Sequence, residues 1–290
     1  MAKIGIIGGS GLYQMEGIEK IEDVTILDTP FGPPSDHFTV GVLGGIEVVF
    51  LARHGRGHRI SPSEINYRGN IFEMKRLGVD AIISVSACGS MKEEIKPLDF
   101  VVPDQFIDRT NRGREASFFT DGIVGHVSMS DPVSPELTKI LIERAKEVGA
   151  TVHEKGTYLN MEGPQFSTRA ESNLYRSWGV DIIGMTNMVE AKLAREAEMA
   201  YASLSAVTDY DCWHSDHDDV TVDMIISNIQ KNVAKAKDIL RRAIPQIGKI
   251  EKFGVQNALK NAIITAPEMI SERKKKELAI LIGKYIKGEE

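Results

Sequence analysis

The chain is poor in cysteine: Cys88 and Cys212 are the only two. Two thiols cannot build a disulfide framework or a four-cysteine zinc site, so the fold must stand on its apolar core. Long apolar runs are missing too. The N-terminal Met-Ala-Lys-Ile-Gly-Ile-Ile meets glycines at once, too short for a signal peptide or a membrane span. No other stretch approaches the roughly 18 apolar residues that a spanning helix needs, so the expected setting is the cytoplasm, with no membrane partner. A basic excess is also lacking, with 35 Lys and Arg against 41 Asp and Glu and a formal charge of −6. That balance argues against nucleic acid as a partner, because phosphate backbones need cations to neutralise them. It leaves room for a small anion held by a local cluster of donors. No internal repeat and no low-complexity linker interrupts the chain.

What is present is 42% hydrophobic material, enough for a sizeable core, laid out in alternating strand-like and helix-like segments. Strands are expected at 3–7, 46–52, 81–86, 100–102, 180–183 and 201–207. Ser61-Pro62-Ser63-Glu64 has the form of a capping box with proline at the first helical position, and Gly78 would close that helix. Ser134-Pro135 opens a second helix that ends at Gly149, and segments 189–200 and 222–244 read as a third and fourth. Strands alternating with helices predict a single α/β domain: a central mixed sheet flanked by helices. The main domain is expected over 1–248. Residues 249–290 read as an extension with a charged helix around Glu272–Glu277, packed on the same domain or at a subunit contact.

The chemistry gathers at strand ends. Asp209 and Asp211 follow the apolar run 201–207, and two carboxylates are expensive to bury there. In an open α/β sheet, ligands bind beyond the carboxyl ends of the strands. Paired acids at that place can donate to one ring nitrogen and accept from an exocyclic amine, as reading an adenine edge requires. A solvated acidic turn is the simpler alternative. A hard-metal cluster of Asp209, Asp211, His214, Asp216, His217, Asp218 and Asp219 is another, although its spacing fits no defined motif. The first strand runs into Gly8-Gly9-Ser10-Gly11, a turn able to cradle an anion or simply to reverse the chain; it lacks both the dinucleotide and the Walker spacings. Arg53-His54-Gly55-Arg56-Gly57-His58-Arg59 follows the second strand. It offers guanidinium forks and imidazole donors for phosphate oxygens, or else a basic surface loop. Ser86-Ala87-Cys88-Gly89-Ser90 follows the third, with Cys88 read as a buried filler. Phe166, in Gly163-Pro164-Gln165-Phe166, could stack on a flat base. Met185-Thr186 could pad a sugar and donate to an anion.

Taken together, these segments resemble the trimeric purine nucleoside phosphorylases. The resemblance rests on Ile-Gly-Ile-Ile-Gly-Gly-Ser-Gly at 4–11, Leu-Ala-Arg-His-Gly-Arg at 51–56 and Ala-Cys-Gly-Ser at 87–90. It continues through Asp-Gln-Phe-Ile-Asp-Arg-Thr at 104–110, Glu-Gly-Pro-Gln-Phe-Ser-Thr-Arg-Ala-Glu-Ser at 162–172 and Ala-Val-Thr-Asp-Tyr-Asp-Cys-Trp at 206–213. It implies the nucleoside phosphorylase fold, with phosphate as co-substrate and no cofactor or metal. It implies a phosphate site of Ser10, Arg53, His54, Ser86, Ala87 and Thr186. Met185 is implied at the ribose and Phe166 at the purine, with Tyr210 also at the substrate. Asp209, the implied catalytic acid, and Asp211 would meet the base. Ser167 and Val222 match specificity positions, and His126 matches a residue reaching a neighbouring subunit, so a homotrimer, or a dimer of trimers, is expected. Aspartate at 209 favours 6-aminopurines, and within the family the pattern is nearest to enzymes cleaving 5′-methylthioadenosine. Broader action on adenosine, inosine, guanosine or methylthioinosine is the closest alternative. A metal-dependent nucleoside hydrolase and a non-catalytic nucleoside-binding protein are the others. Val189 stands where the family often has proline, and the segment after about 265 follows no family pattern.

Overall fold

The structure, a computed structural model, describes residues 1–9, 12, 15–25, 28–111, 113–214 and 222–286, with only the backbone for 222–225. Ser10, the side chain of Val222 and residues 216–219 of the acidic run therefore lie outside the described residues.

The elements in chain order begin β1 (Ile4–Gly8), β2 (Ile18–Val24), β3 (Phe38–Leu43), β4 (Ile46–Ala52), α1 (Tyr67–Arg76) and β5 (Ala81–Ser90). Next come β6 (Phe100–Val101), β7 (Gln105–Arg109), α2 (Pro135–Glu147), β8 (Val152–His153), β9 (Thr157–Met161) and α3 (Arg169–Ser177). The chain continues with β10 (Ile182–Gly184), α4 (Asn187–Glu196), β11 (Ala200–Asp209), α5 (Val222–Ile247), α6 (Glu272–Glu277) and α7 (Ala279–Ile282). The strands form one mixed sheet in the order β2-β3-β4-β1-β5-β10-β9-β7. β11 pairs with β5 as well, and β6 and β8 follow beyond it. The α/β reading of the sequence holds.

The strand that organises this sheet is β5. Its first half pairs in parallel with β1, its length pairs in parallel with β11, and its last residues turn to pair antiparallel with β10. β1 is also parallel to β4. The ends of β1, β4, β5 and β11 therefore open on one side, and the loops that follow them are brought together. Every residue of β1 and of β11 is buried, as strands covered on both faces must be. One core cluster packs Leu137 and Leu141 of α2 and Leu240 and Ile244 of α5 against Ile4, Ile83 and Leu204. A second, on the opposite face, packs Ile71 of α1 and Leu193 of α4 with Leu278, Leu281 and Ile282 from the C-terminal segment.

Several boundaries differ from the sequence reading. Ser61 and Glu64 do bond each other, Glu64 N–H to Ser61 C=O at 3.0 Å, but they close an isolated turn. The helix starts six residues later, at Tyr67, capped by Asn66, whose side chain accepts from Gly69 N–H. The Asn66 amide also donates to the carbonyls of Phe31 and Pro33 at 2.8 and 2.9 Å, so a tertiary contact moves the start. Ser134 with Pro135 caps α2 as expected. The expected strand at 81–86 runs on through 87–90, so those residues are the continuation of β5 and not a loop after it. β2, β3, β7, β9 and α3 were not foreseen. β2 is a largely exposed edge strand rich in Glu, and α3 buries only Ser172 and Tyr175, so neither writes an apolar pattern into the sequence.

Candidate active site

A single cavity of about 480 Å³ lies where the parallel strands end. Arg53, His54, Ser86, Ala87, Phe166, Met185, Thr186, Asp209 and Asp211 all contribute to its wall, although they come from five separate stretches of chain.

One end is built for an anion. Arg53 directly follows β4 and is buried. Its guanidinium donates to Thr186 Oγ1 at 2.5 Å, Ile7 C=O at 2.9 Å, Ser84 Oγ at 2.8 Å and Val85 C=O at 2.9 Å. Glu190 of α4, also buried, sits 3.3 Å from the same group. Glu190 in turn accepts from Ser84 Oγ at 2.7 Å and Tyr201 Oη at 2.9 Å. The sequence suggested a free fork for phosphate; instead both terminal nitrogens are committed to the protein. The charge remains but is offset by Glu190, so Arg53 fixes Thr186 and the ends of β1 and β5 around the site. Thr186 is the N-cap residue of α4, where helix N–H groups favour an anion. Ser86 Oγ is buried and meets no partner among the described residues, the state of a hydroxyl kept for a ligand.

His54 also departs from its expected role. Its Nδ1 lies 2.9 Å from Ile60 C=O, and its ring stacks on His58 with centroids 4.2 Å apart. Burial, with the adjacent Arg53 charge, holds its pKa down to about 4. The neutral ring must donate from Nδ1 to the carbonyl, which leaves Nε2 as an acceptor. His54 thus offers the cavity a lone pair rather than the donor that the sequence reading assigned to it.

The other end holds the two acids. Both are buried, and burial, the largest influence on each, raises the pKa above the ordinary aspartate range. Asp209 Oδ1 accepts the Asp211 N–H at 2.8 Å, and Oδ2 accepts Thr208 Oγ1–H at 2.6 Å. The hydroxyls of Ser172 and Ser167 lower the Asp211 pKa against that larger effect of burial. Gly89 faces the pair: a Cβ there would lie 2.9 Å from Asp209 Oδ1, so a side chain would push the acid aside. Asp211 itself takes a positive φ of 52°, which turns it back toward Asp209.

Phe166 is exposed to 47%, an apolar face open to the cavity mouth. Tyr210 is not brought to the site. Its ring packs edge-on against Trp213 and its hydroxyl donates to Glu93 C=O at 3.3 Å. Ser167 sits behind the wall beside Asp211, its Oγ 3.8 Å from Met161 Sδ. His126 is exposed and away from this cavity, its backbone N–H bonded to Ala262 C=O at 2.8 Å. Of the acidic run, His214 pairs with Glu93 at 3.0 Å, and no metal-holding group of three His, Cys, Asp or Glu occurs among the described residues. Arg114, Glu162 and Glu190 are structural members of the site that the sequence reading did not single out.

With this geometry in place, comparison with known proteins is decisive on kinship. The model of the phosphorylase superfamily matches residues 3–245. The chain belongs to that superfamily. A protein of Geobacter sulfurreducens named S-methyl-5′-thioadenosine phosphorylase is 56% identical over 98% of this chain and 99% of its own length. A Synechocystis protein of the same name is 56% identical over 98% of this chain and 88% of its own. Among solved structures, a methylthioadenosine phosphorylase from an antarctic soil metagenomic library superposes with a TM-score of 0.92 at 50% identity, covering 97% of this chain and 98% of that one. An adenosine/methylthioadenosine phosphorylase variant from Schistosoma mansoni, in complex with methylthioadenosine, gives 0.80 at 38% identity over 87% of this chain and 93% of its own. The superfamily resemblance drawn from the motifs therefore holds. Among the described residues no helix is long and apolar enough to cross a membrane.

Proposed function

We propose that this protein catalyses the phosphorolysis of S-methyl-5′-thioadenosine to adenine and 5-methylthioribose 1-phosphate, a salvage reaction. The observation that carries the reading is the joining, in one cavity, of an orphan hydroxyl and a charge-balanced arginine at one end with two buried acids at the other. The names of the relatives agree with it.

Breaking the glycosidic bond leaves positive charge on the sugar and pushes electrons into the purine, so both ends need stabilisation. Phosphate would sit among Ser86, Thr186 and His54 as nucleophile and counter-charge. Because Glu190 offsets Arg53, the anion is held mainly by directed hydrogen bonds. Its oxygens keep their nucleophilicity instead of being buried in a strong field. The lone pair on His54 Nε2 suits the proton of a hydrogen phosphate. Asp209, whose pKa burial raises, would donate to N7 so that adenine does not leave as a bare anion. Asp211 orders Asp209 through its backbone N–H and would face the exocyclic amine. Met185 and Phe166 would cover the ribose and the base. Ser10 and Val222 complete the reading at the phosphate and at the 5′ and base pockets. No cofactor enters this chemistry, and phosphate is the co-substrate. His126 would reach the 5′ pocket of a neighbouring copy, which makes the working form a homotrimer, in the cytoplasm.

Product analysis with methylthioadenosine, adenosine and inosine, each with and without phosphate, tests the reading. Phosphate-dependent release of adenine from methylthioadenosine, with inosine the poorest substrate, is expected. A preference for inosine would overturn the assignment of the acids.

A further inference from the structure

We propose that Arg114, acting with Glu162, is the positioning residue that sets the nucleoside side of the cavity. This inference rests on the phosphorolysis reading for its kinetic assay. Arg114 lies in the segment after β7, and its side chain is 0% exposed. It does not line the cavity. Its guanidinium instead reaches three other stretches of chain. One terminal nitrogen donates to Met185 C=O and, at 3.2 Å, to Tyr67 Oη; the other donates to Glu162 C=O; and Nε donates to Glu162 Oε1 at 3.2 Å. The Glu162 carboxylate also accepts Ser63 Oγ–H at 2.6 Å and Asn111 N–H at 2.5 Å. Partial burial opposes its ionisation, yet these donors and the Arg114 charge hold Glu162 below the ordinary carboxylate range.

The two carbonyls explain why an arginine stands here. β9 and β10 run parallel, and their pairing ends at Asn160 with Gly184. Beyond that point the carbonyls of Glu162 and Met185 have no ladder partner, and both are part-buried acceptors that Arg114 satisfies. One planar guanidinium supplies both from a fixed fork, which the point charge of a lysine cannot. The residues so fixed lead directly into the cavity wall. Glu162 precedes the turn Gly163-Pro164-Gln165-Phe166, and Met185 is followed by Thr186. The two loops are also packed tightly on each other: a Cβ on Gly163 would lie 2.4 Å from Met185 Sδ. Arg114 therefore holds in register the residues assigned to ribose and purine, while the anion end is fixed separately by Arg53 and Glu190.

The test uses the full-length variants Arg114→Lys and Glu162→Gln, with steady-state kinetics for both substrates and amide hydrogen exchange of segments 161–168 and 184–188. Arg114→Lys is expected to raise the KM for methylthioadenosine by about 10–100-fold, as displacement of a positioned wall does, with the phosphate KM changed by less than about threefold. Glu162→Gln keeps both carbonyl bonds and should raise the nucleoside KM by only about 3–10-fold. Exchange in the two segments should quicken together in Arg114→Lys. Nucleoside KM values within about twofold of wild type in both variants, or equal rises for nucleoside and phosphate, would overturn the assignment. If Arg114→Lys does not fold, Glu162→Gln decides by the same criterion. If the wild-type protein shows no phosphate-dependent cleavage, the reaction is misread. The clamp is then judged by exchange alone, and unchanged exchange in both segments overturns it.

Discussion

At the scale of single residues, the site turns on where one proton sits. Asp209 is buried and has both oxygens engaged, yet one of those engagements is adjustable. The Thr208 hydroxyl is 2.6 Å from Asp209 Oδ2 and 3.2 Å from the carbonyl of Cys88, so its single hydrogen can serve either acceptor. When Asp209 is ionised the hydrogen belongs to the carboxylate; when Asp209 carries the proton, Thr208 can turn to Cys88. This bond lowers the Asp209 pKa against the larger effect of burial. Thr208→Val should therefore raise that pKa and move the basic limb of the pH profile of kcat/KM to higher pH. A limb that stays in place or moves down would count against Asp209 as the acid. Asp209→Asn removes the proton donor but keeps the shape. It should cut kcat/KM on methylthioadenosine by about 10²–10⁴-fold while costing inosine far less, since an amide can both donate and accept at a 6-oxopurine edge. Equal losses on the two nucleosides would contradict base selection by this residue.

At the scale of elements, the strand ends do the placing, and that much could be read from sequence. The runs 46–52 and 201–207 end in chemistry-bearing residues, and the sheet brings those ends together because β1, β4, β5 and β11 are mutually parallel. What stayed hidden is the framework behind the wall. Arg114 sits in Arg109-Thr110-Asn111-Arg112-Gly113-Arg114, a stretch that reads as a solvated basic loop, and its partners Glu162 and Met185 are far along the chain. Glu190 looks like an ordinary first-turn acid of α4 until the fold sets it against Arg53. Tyr210, next to both acids in sequence, lies outside the cavity wall, against Trp213 and Glu93. The start of α1 shows the same limit. The local Ser61–Glu64 signal lost to Asn66, which serves as cap and as tie to the 31–33 loop at once. Asn66→Ala should cost about 1–3 kcal/mol in a denaturant titration, combining a lost cap with two lost hydrogen bonds to carbonyls. A change below about 0.5 kcal/mol would show that the tie is not needed.

At the scale of the molecule, a second buried acid links stability to pH independently of catalysis. Glu196 of α4 accepts Phe118 N–H at 2.7 Å and Ser117 Oγ–H at 2.8 Å, and burial raises its pKa from 4.5 to about 7. The folded state therefore binds the proton more tightly than the unfolded chain. Stability from this group is fully present below about 4.5 and is lost as pH rises through about 7, the reverse of a salt-bridged carboxylate. Glu196→Gln should flatten the pH dependence of thermal unfolding across that window and gain on wild type above it, by at most about 3 kcal/mol. An unaltered slope would show that Glu196 is not the group responsible. The C-terminal segment belongs to the same body physically: Leu278 and Ile282 are buried beside Ile71 and Leu193, and the Tyr285 hydroxyl and Lys284 ammonium both bond Glu198.

Following methylthioadenosine and its products with phosphate present and absent decides whether one cavity activates phosphate at one end and protonates a purine at the other. Adenine and 5-methylthioribose 1-phosphate should form in equal amounts, and only when phosphate is supplied. Adenine released with free methylthioribose in the absence of phosphate would contradict it.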